Sequence, residues 1–272
     1  MTPLLCGLIG AGIQGSRSPA LQEGEARAQG LALSYRLIDL DELGAGVEAL
    51  PQLLERCARE GYRGLNITFP CKQAVMPLLD SLSDEARAIG AVNTVVFAEG
   101  RKVGHNTDSA GWTWGLRRAL PGADLSRVVL LGAGGAGAAC AHAILGLGAK
   151  ELIVVDRDPE RAAELASRQR CRVETDLVRA LHGATGLVHA TPTGMAKMPG
   201  MPLPARLLHP GLWVSEVVYV PLETDLLRAA KRAGCRVMDG GHMNVGQAAL
   251  GFELFTGRPA DAERMETFFR AL

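Results

Sequence analysis

Apolar runs of strand length alternate with helix-type patterns along the whole chain. This alternation is typical of α/β proteins, in which parallel sheets are covered by helices on both faces. In the first part of the chain it predicts strands at 4–9, 34–40, 65–68 and 92–97, with helices opening at Pro19, spanning 47–59 and following Pro70. Those strands complete one sheet, so the strand at 128–131 is predicted to begin a second sheet.

The second part of the chain continues the same alternation. A linker near 104–108 leads into a helix at 109–120. It is followed by strands at 128–131, 151–155, 186–190, 213–218 and 236–239, a helix at 138–147 and a closing helix at 244–255. Gly257 and Pro259 then stop the closing helix. The pattern therefore predicts an α/β protein with two sheets in two domains.

A glycine-rich turn joins the strand at 128–131 to the helix after it. Gly132, Gly134 and Gly137 form the spacing GxGxxG, which permits a tight turn, close approach of a pyrophosphate and close helix packing. Asp156 stands about twenty residues further on, where an acid that binds a ribose belongs. The turn predicts a dinucleotide site, with a purely structural glycine turn as the alternative. Its predicted contact residues are Gly132, Ala133, Gly134, Gly135, Ala136 and Gly137.

Composition narrows the classes of partner. The 272 residues carry 29 basic and 29 acidic side chains, so neither nucleic acid nor a strongly charged partner is expected. No apolar run reaches the roughly 20 residues of a membrane span, and the first residues lack a signal-peptide pattern, so we expect a cytoplasmic protein without a membrane partner. The six cysteines and six histidines show no metal-ligand spacing, so no metal is expected.

Polar side chains follow predicted strands and precede predicted helices, where open α/β sheets place their ligand sites. Ser16 and Ser18 are either turn and N-cap residues or two hydroxyls that bind a carboxylate. Lys72 is either a solvated charge or a group that transfers a proton in the crevice. Asn93 is either a turn residue or a ligand of a polyol, and Asp108 is either a helix cap or part of the site.

Eight segments, taken in order, resemble the shikimate dehydrogenase family over essentially the whole chain. They are GSRSP at 15–19, NITFPCK at 66–72, GAVNT at 90–94, NTDSAG at 106–111, GAGGAG at 132–137, ATPTGM at 190–195, VVYVPLETDLL at 217–227 and QAALGFELFTG at 247–257. The resemblance implies an N-terminal α/β substrate domain of residues 1–104, completed by C-terminal helices at 241–272. It also implies a Rossmann-type NAD(P)-binding domain of residues 105–240, with the active site in the cleft between the two.

The resemblance also implies the activity. It predicts a dehydrogenase that interconverts a hydroxyl and a ketone on a ring acid such as shikimate, quinate or aminoshikimate, acting as a monomer or homodimer. Lys72 would be the acid/base, with Asp108 as its hydrogen-bonded partner. The residues implied to bind substrate are Ser16 and Ser18 at the carboxylate, Thr68, Asn93, Asp108 and Gln247 at ring hydroxyls, and Tyr219 facing the substrate. Gln247 alone would otherwise be taken as a solvent-facing helix residue.

The expected cofactor is NAD, with NADP kept as an alternative. Members of the family that use NADP usually carry Asn-Arg-Thr after the second Rossmann strand and an arginine after the glycine turn. This chain has Asp156, Arg157 and Asp158, and Ala138 in place of that arginine. A carboxylate accepts from both ribose hydroxyls and repels a 2′-phosphate, whereas an arginine can pair with that phosphate. Thr191 and Met195 are also implied to contact the cofactor.

Several positions depart from the family pattern. They are Gly15, Gln22, Glu23, His189, Glu216 and Asn244. The predicted location of these departures, around the substrate and the cleft, leaves the identity of the ring acid open. Two alternative functions also stay open. One is that of a non-catalytic relative, which binds a ring acid without turnover, and the other is that of a dehydrogenase of a folate-like substrate.

Overall fold

The computed structural model describes residues 3–272, which divide into two compact units. The first unit runs up to Thr107 and includes Gln247–Leu272, and the second unit is Asp108–Gly246. The first unit ends at residue 107, three residues after the predicted boundary at 104. The second unit ends at residue 246, six residues after the predicted boundary at 240. The assignment of those ranges as a substrate domain and a cofactor domain stays a prediction.

Helices and strands alternate through both units. The strands are β1 Leu4–Gly10, β2 Leu33–Asp39, β3 Tyr62–Ile67, β4 Ser81–Leu82, β5 Thr94–Ala98, β6 Arg101–His105, β7 Val128–Leu131, β8 Leu152–Val155, β9 Arg172–Val173, β10 Gly186–His189, β11 Trp213–Glu216 and β12 Arg236–Met238. The helices are α1 Ser18–Ala28, α2 Leu40–Leu43, α3 Leu50–Arg59, α4 Cys71–Ala74, α5 Asp84–Ile89, α6 Asp108–Ala119, α7 Gly135–Gly146, α8 Pro159–Gln169, α9 Leu177–Leu181, α10 Asp225–Arg232, α11 Gly240–Thr256 and α12 Ala262–Ala271.

The first unit contains a mixed sheet with the strand order β2-β1-β3-β5-β6-β4. The parallel pairing that the alternation favours holds for β1, β2 and β3 but not for the whole sheet, because β5 runs antiparallel to both β3 and β6. The cause is a two-residue hairpin at Glu99 and Gly100, whose φ angles of 52° and 73° suit a tight turn between antiparallel strands. β6 therefore occupies part of the stretch that the sequence predicts as a linker.

The second unit contains a parallel sheet with the order β12-β11-β10-β7-β8-β9. Its central strand β7 is buried along its whole length, as a strand covered on both faces requires. β10 and β8 flank β7 on opposite sides. The strand order reverses direction at β7, so the glycine-rich turn after β7 lies at the topological switch point of the sheet. Open α/β sheets bind their ligands at such points.

The closing segment of the chain differs from the sequence prediction. The helix α11 begins at Gly240, four residues before the predicted start at Asn244, and a further helix, α12, follows it. Asp261 caps α12 through a hydrogen bond from the Arg264 N–H. Within the first unit, the guanidinium of Arg264 donates to the buried carboxylate of Glu25 on α1, with a closest distance of 2.6 Å. This ion pair joins the last helix to the first.

Candidate functional site

The turn after β7 has the geometry of a dinucleotide cradle. Gly132 has a φ of +104°, and a Cβ added at Gly137 would lie 2.0 Å from the Gly132 carbonyl oxygen. No described residue lies within 4 Å of a Cβ built on Gly134, so this glycine faces open space. The helix α7 starts at Gly135, not at Ala138 as predicted, and its first N–H groups have no acceptor within the helix. These residues fit the pyrophosphate of a dinucleotide.

Asp156 follows β8 and supports this turn directly. Its Oδ2 accepts from the Ala133 N–H at 2.6 Å, and its Oδ1 accepts from the Asp158 N–H at 2.9 Å. Asp158 caps α8 by accepting from the N–H groups of Glu160 and Arg161, as its sequence position suggests. Each carboxylate oxygen offers two lone pairs, so these bonds leave Asp156 able to accept from ribose hydroxyls. Arg157, the next residue, is exposed.

The loop after β10 lies beside the glycine turn. A Cβ built on Gly132 would meet the Thr191 Cγ2 at 3.0 Å, which places Thr191 against the start of the cradle. Met195 is half-buried and forms an isolated bridge with Met198. A hydrogen bond from the Ala196 N–H to the Val220 carbonyl oxygen joins the loop after β10 to the loop after β11. The loop after β11 carries the half-buried Tyr219.

Two departures from the family pattern form a pair in the second unit. His189 at the end of β10 and Glu216 at the end of β11 are register partners, and both side chains are fully buried. The sequence interpretation places these departures around the substrate and the cleft, which stays a prediction. The structure places both residues next to Thr191 and the glycine turn, because parallel strands bring their carboxyl ends to one edge of the sheet.

In the first unit, Ser16 and Ser18 lie at the start of α1. The Ser16 hydroxyl accepts from the Ser18 N–H and donates to the Ser18 hydroxyl, with both distances 3.2 Å. Ser18 is not the N-cap, because the helix already includes it and Arg17 occupies the cap position. Ser16 thus fills a turn position while the two hydroxyls remain adjacent.

Thr68, Lys72 and Asn93 are brought to one edge of the first sheet by backbone hydrogen bonds. The Thr68 N–H donates to the Ile9 carbonyl oxygen at 2.9 Å, and the Val92 N–H donates to the Lys72 carbonyl oxygen at 2.8 Å. Lys72 lies on the short helix α4 and is half-buried. The position of a half-buried lysine just beyond the end of β3 agrees with a side chain that faces a crevice.

The Asn93 amide organises the end of the first unit. Its Nδ2 donates to the Thr107 hydroxyl and its Oδ1 accepts from the Thr107 N–H, both at 2.8 Å. The Thr107 hydroxyl then donates to the Gln247 carbonyl oxygen at 3.1 Å. These bonds hold the backbone of Gln247, which is half-buried, close to Asn93 and Thr107. Asp108, which follows Thr107 in the sequence, is buried. It is the first residue of α6 rather than a cap before that helix.

Sequence reasoning missed the polar residues that support this edge from within the sheet. The Tyr35 hydroxyl donates to the Asn66 Oδ1 at 2.6 Å, and the Asn66 Nδ2 donates to the Thr94 hydroxyl at 3.1 Å. Thr94 in turn donates to the Asn93 Oδ1 at 3.0 Å. These residues come from three strands, and nothing in their local patterns indicates that they meet.

Three segments of the chain match family descriptions. Residues 8–95 match the shikimate dehydrogenase substrate binding domain, residues 116–191 match shikimate / quinate 5-dehydrogenase, and residues 243–267 match the shikimate 5′-dehydrogenase C-terminal domain. A shikimate dehydrogenase (NADP(+)) of Streptomyces avermitilis is 57% identical over 270 residues, which cover 96% of this chain and 93% of that protein. This chain belongs to the shikimate dehydrogenase family. The resemblance drawn from the ordered motifs is confirmed.

Other members of the shikimate dehydrogenase family carry a different cofactor in their names. A quinate/shikimate dehydrogenase (NAD(+)) of Corynebacterium efficiens is 45% identical, covering 99% of this chain and 98% of that protein. The quinate dehydrogenase of Corynebacterium glutamicum, solved in complex with NAD, is 43% identical and has a TM-score of 0.88, with 99% of both chains covered. The two-domain α/β fold predicted for the family is confirmed. These relatives are named as dehydrogenases, which favours the catalytic interpretation over a non-catalytic one.

None of the helices in the part of the chain from residue 3 to residue 272 is long and apolar enough to cross a membrane. Within that same part, no group of three or more histidine, cysteine, aspartate or glutamate side chains could hold a metal ion.

Proposed function

We propose that this chain oxidises a ring hydroxyl of a shikimate- or quinate-type carboxylate to the ketone, and catalyses the reverse reduction, with NAD as the preferred cofactor. As a member of the shikimate dehydrogenase family it is an NAD(P)-dependent dehydrogenase. The observation that carries the proposal is its 57% and 45% identity, over nearly the whole chain, with dehydrogenases named for shikimate and for quinate and shikimate.

The preference for NAD rests on the groups around the glycine turn. Asp156 is held by the Ala133 N–H, so its carboxylate is fixed beside the cradle, where a 2′-phosphate would meet a negative charge. Ala138 supplies no positive charge after the turn. Relatives named for NADP and for NAD both match this chain, and Arg157 keeps NADP as the second cofactor to be tested.

Lys72 is proposed as the acid/base and Asp108 as its partner. Oxidation of a hydroxyl requires a group that removes the O–H proton while the hydride leaves the same carbon. A bound nicotinamide supplies the hydride acceptor. Lys72 is half-buried at the end of β3, beside the Asn93 segment, and Asp108 is buried at the start of α6. The positions of both residues match the family motifs NITFPCK and NTDSAG.

The proposed substrate residues divide by chemistry. The adjacent hydroxyls of Ser16 and Ser18 at the start of α1 suit a carboxylate, which helix N-termini also favour. Thr68, Asn93 and Gln247 supply donors and acceptors for ring hydroxyls, and Asn93 holds Gln247 in place through Thr107. Tyr219 is the residue proposed to face the substrate from the second unit.

The proposal is tested by the absorbance of reduced nicotinamide with purified protein and a panel of shikimate, quinate and aminoshikimate, using NAD and NADP in turn. Lys72→Ala is expected to lower kcat by about two to four orders of magnitude and leave substrate binding largely intact. Lys102→Ala is the control, because the Lys102 ammonium pairs with Glu55 at 3.2 Å in the same unit. Full activity of Lys72→Ala would remove this lysine from the mechanism, and no turnover with any acid would overturn the function.

A further inference from the structure

A carboxylate, an imidazole and a hydroxyl form a continuous hydrogen-bonded row beside the cofactor cradle. The His189 Nδ1 lies 2.9 Å from the Glu216 Oε1, and the His189 Nε2 lies 2.5 Å from the Thr191 hydroxyl oxygen. His189 and Glu216 have no exposed surface. Burial of an ionisable pair lowers the stability of a fold unless its polar atoms are hydrogen-bonded. The hydrogen bonds of this pair therefore indicate what the two side chains do.

Glu216 is fully engaged by donors. Its Oε1 also accepts from the Val218 N–H at 3.0 Å, and its Oε2 accepts from the Thr224 hydroxyl at 2.9 Å. A carboxylate only accepts, so the His189 Nδ1 is the donor of their shared bond. In a neutral ring that donates from Nδ1, Nε2 is the acceptor and takes the proton of the Thr191 hydroxyl.

Thr191 is therefore oriented by His189. Its hydroxyl oxygen also lies 3.3 Å from the Thr193 N–H, which donates to it. With the hydroxyl proton directed at His189 and one lone pair taken by the Thr193 N–H, the remaining lone pair of the oxygen is what the side chain presents to a ligand. Thr191 is half-exposed and stands against Gly132, so a ligand in the cradle can reach it.

The order of strands indicates which part of a dinucleotide passes Thr191. Asp156 follows β8, and an acid in this position binds the ribose of the adenosine half. β10, which carries Thr191 at its end, lies on the other side of β7. If Asp156 binds the adenosine ribose, the nicotinamide half of the dinucleotide would extend over β10. That half offers ribose hydroxyls and a carboxamide N–H, both of which are donors.

We propose that His189, held by Glu216, is a positioning residue that fixes Thr191 as an acceptor for a donor group of the nicotinamide half of the cofactor. The inference rests on the proposed function, since it takes NAD or NADP as the ligand. It adds a specific task for two positions at which this chain departs from the family pattern.

The test is a double-mutant cycle on ligand affinity, with NADH and ADP as probes. Thr191→Val removes the hydroxyl and is expected to raise the Kd of NADH about tenfold, whereas Thr191→Ser keeps it near the parent value. His189→Asn retains an amide near the position of Nδ1 and has no atom at the position of Nε2. It is expected to raise the Kd of NADH about fivefold alone and by nothing further in the Thr191→Val background. ADP lacks the nicotinamide half, so its Kd should stay constant throughout.

Three further measurements separate this role from a general disturbance of the fold. Thr185→Val alters the other end of β10, where Thr185 bonds to Arg127 and Asp124, and should leave both affinities unchanged. Thermal unfolding shows whether each variant is folded. If His189→Asn does not fold, His189→Gln replaces it, because its amide reaches the position of Nε2 and should keep the Kd of NADH within about threefold of the parent.

The possible outcomes distinguish the two proposals. Additive effects of His189→Asn and Thr191→Val, or a parallel loss of ADP affinity, would overturn the positioning role while leaving the proposed function intact. A parent protein that binds neither NADH nor NADPH would overturn the proposed function, and the positioning role with it.

Discussion

The same tripeptide, Gly-Ala-Gly, stands at the carboxyl end of the first strand of each unit, and the two copies differ in what their N–H groups contact. In the first unit, residues 10–12 begin with the last residue of β1, and the acid at the end of β2 is Asp39. In the second unit, residues 132–134 follow β7 and the corresponding acid is Asp156. A turn with this sequence and a following acid is therefore not by itself a cofactor site.

The turn in the first unit is closed by the protein itself. Asp39 is buried and accepts from the N–H groups of Gly12 at 2.8 Å and Ile13 at 2.9 Å. Tight packing of the first glycine does not separate the two turns, since a Cβ added at Gly10 would lie 2.3 Å from the Thr68 Cγ2 and one added at Gly132 would lie 2.8 Å from the Ala190 carbonyl oxygen. In the second unit, Gly134 faces open space. The comparison teaches that an anion site needs N–H groups that no carboxylate of the chain has already taken.

Asp39→Asn gives the largest expected effect. It places an NH₂ group against a buried N–H donor and removes a charge that four groups stabilise, which we expect to lower the free energy of unfolding by about 3 kcal/mol. The Kd of NADH should not change. Chemical denaturation and amide hydrogen exchange at residues 10–16 measure the loss. Asp156→Asn is the matched control, and equal destabilisation by the two changes would remove the contrast between the turns.

Gly134→Ala is expected to weaken NADH binding about thirtyfold, or about 2 kcal/mol, because the added methyl occupies the space through which the pyrophosphate approaches the backbone. Stability should stay constant, since no described residue lies within 4 Å of the new carbon. Gly12→Ala gives the opposite pattern. Gly12 has a φ of +66°, which an alanine adopts at a cost of about 1 kcal/mol, so this substitution should lower stability by that amount. The Kd of NADH should not change. Calorimetric titration and thermal unfolding measure the two quantities, and unchanged NADH affinity of Gly134→Ala would count against the cradle.

Asp156→Asn sharpens the comparison at the level of cofactor choice. It removes the negative charge beside the ribose, so the ratio of kcat/KM for NAD to that for NADP should fall about tenfold, or about 1.4 kcal/mol. Steady-state kinetics with both cofactors measure the ratio. Asp158→Asn, which changes the cap of α8, is the control and should leave the ratio unaltered. A constant ratio in Asp156→Asn would show that this carboxylate does not select the cofactor.

Acidification gives the smallest expected effect. Burial raises the pKa of Asp39, but hydrogen bonds from Gly12, Asp41 and Ile13 outweigh it and hold the pKa below the ordinary value of 3.8. A carboxyl whose folded pKa is depressed stabilises the protein above its unfolded pKa and loses that contribution as the pH falls through the folded pKa. From about pH 5 to about pH 3, the parent should therefore lose at most about 1 kcal/mol more stability than Asp39→Asn. Denaturant unfolding of both proteins at each pH measures this difference. An equal loss of unfolding free energy in the parent and in Asp39→Asn would contradict the prediction.

Local sequence patterns predict some elements of the fold directly, whereas α8, α9 and α10 of the second unit are not among the predicted helices. Val128–Leu131, the glycine spacing and the cap at Asp158 are local patterns, and the structure reproduces them. The hairpin at Glu99 and Gly100 depends on two positive φ angles, one of them at a glutamate, which sequence pattern does not indicate. The helix α12 lies within the C-terminal helices that the family resemblance implies at 241–272, although the apolar pattern alone predicts only the closing helix before it.

The site divides in the same way. Residues within one motif are readable, because a turn places them together by spacing alone. His189 and Glu216 are 27 residues apart, and Tyr35 and Asn66 are 31 apart. Such pairs meet only through strand order and register, which depend on the packing of the whole sheet. The closure of the Asp39 turn cannot be predicted from local sequence for the same reason, since it depends on a carboxylate 27 residues away.

The ion pair between Glu25 and Arg264 has a consequence for how the chain is made. The two residues are 239 positions apart, and Glu25 has no exposed surface once α12 is in place. At ribosomal rates of about 5–20 residues per second, α1 waits roughly 10 to 50 seconds for its partner to be synthesised. The second unit is a continuous stretch and is finished before α12 is made. The nascent first unit must therefore stay incomplete until α12 has left the ribosome.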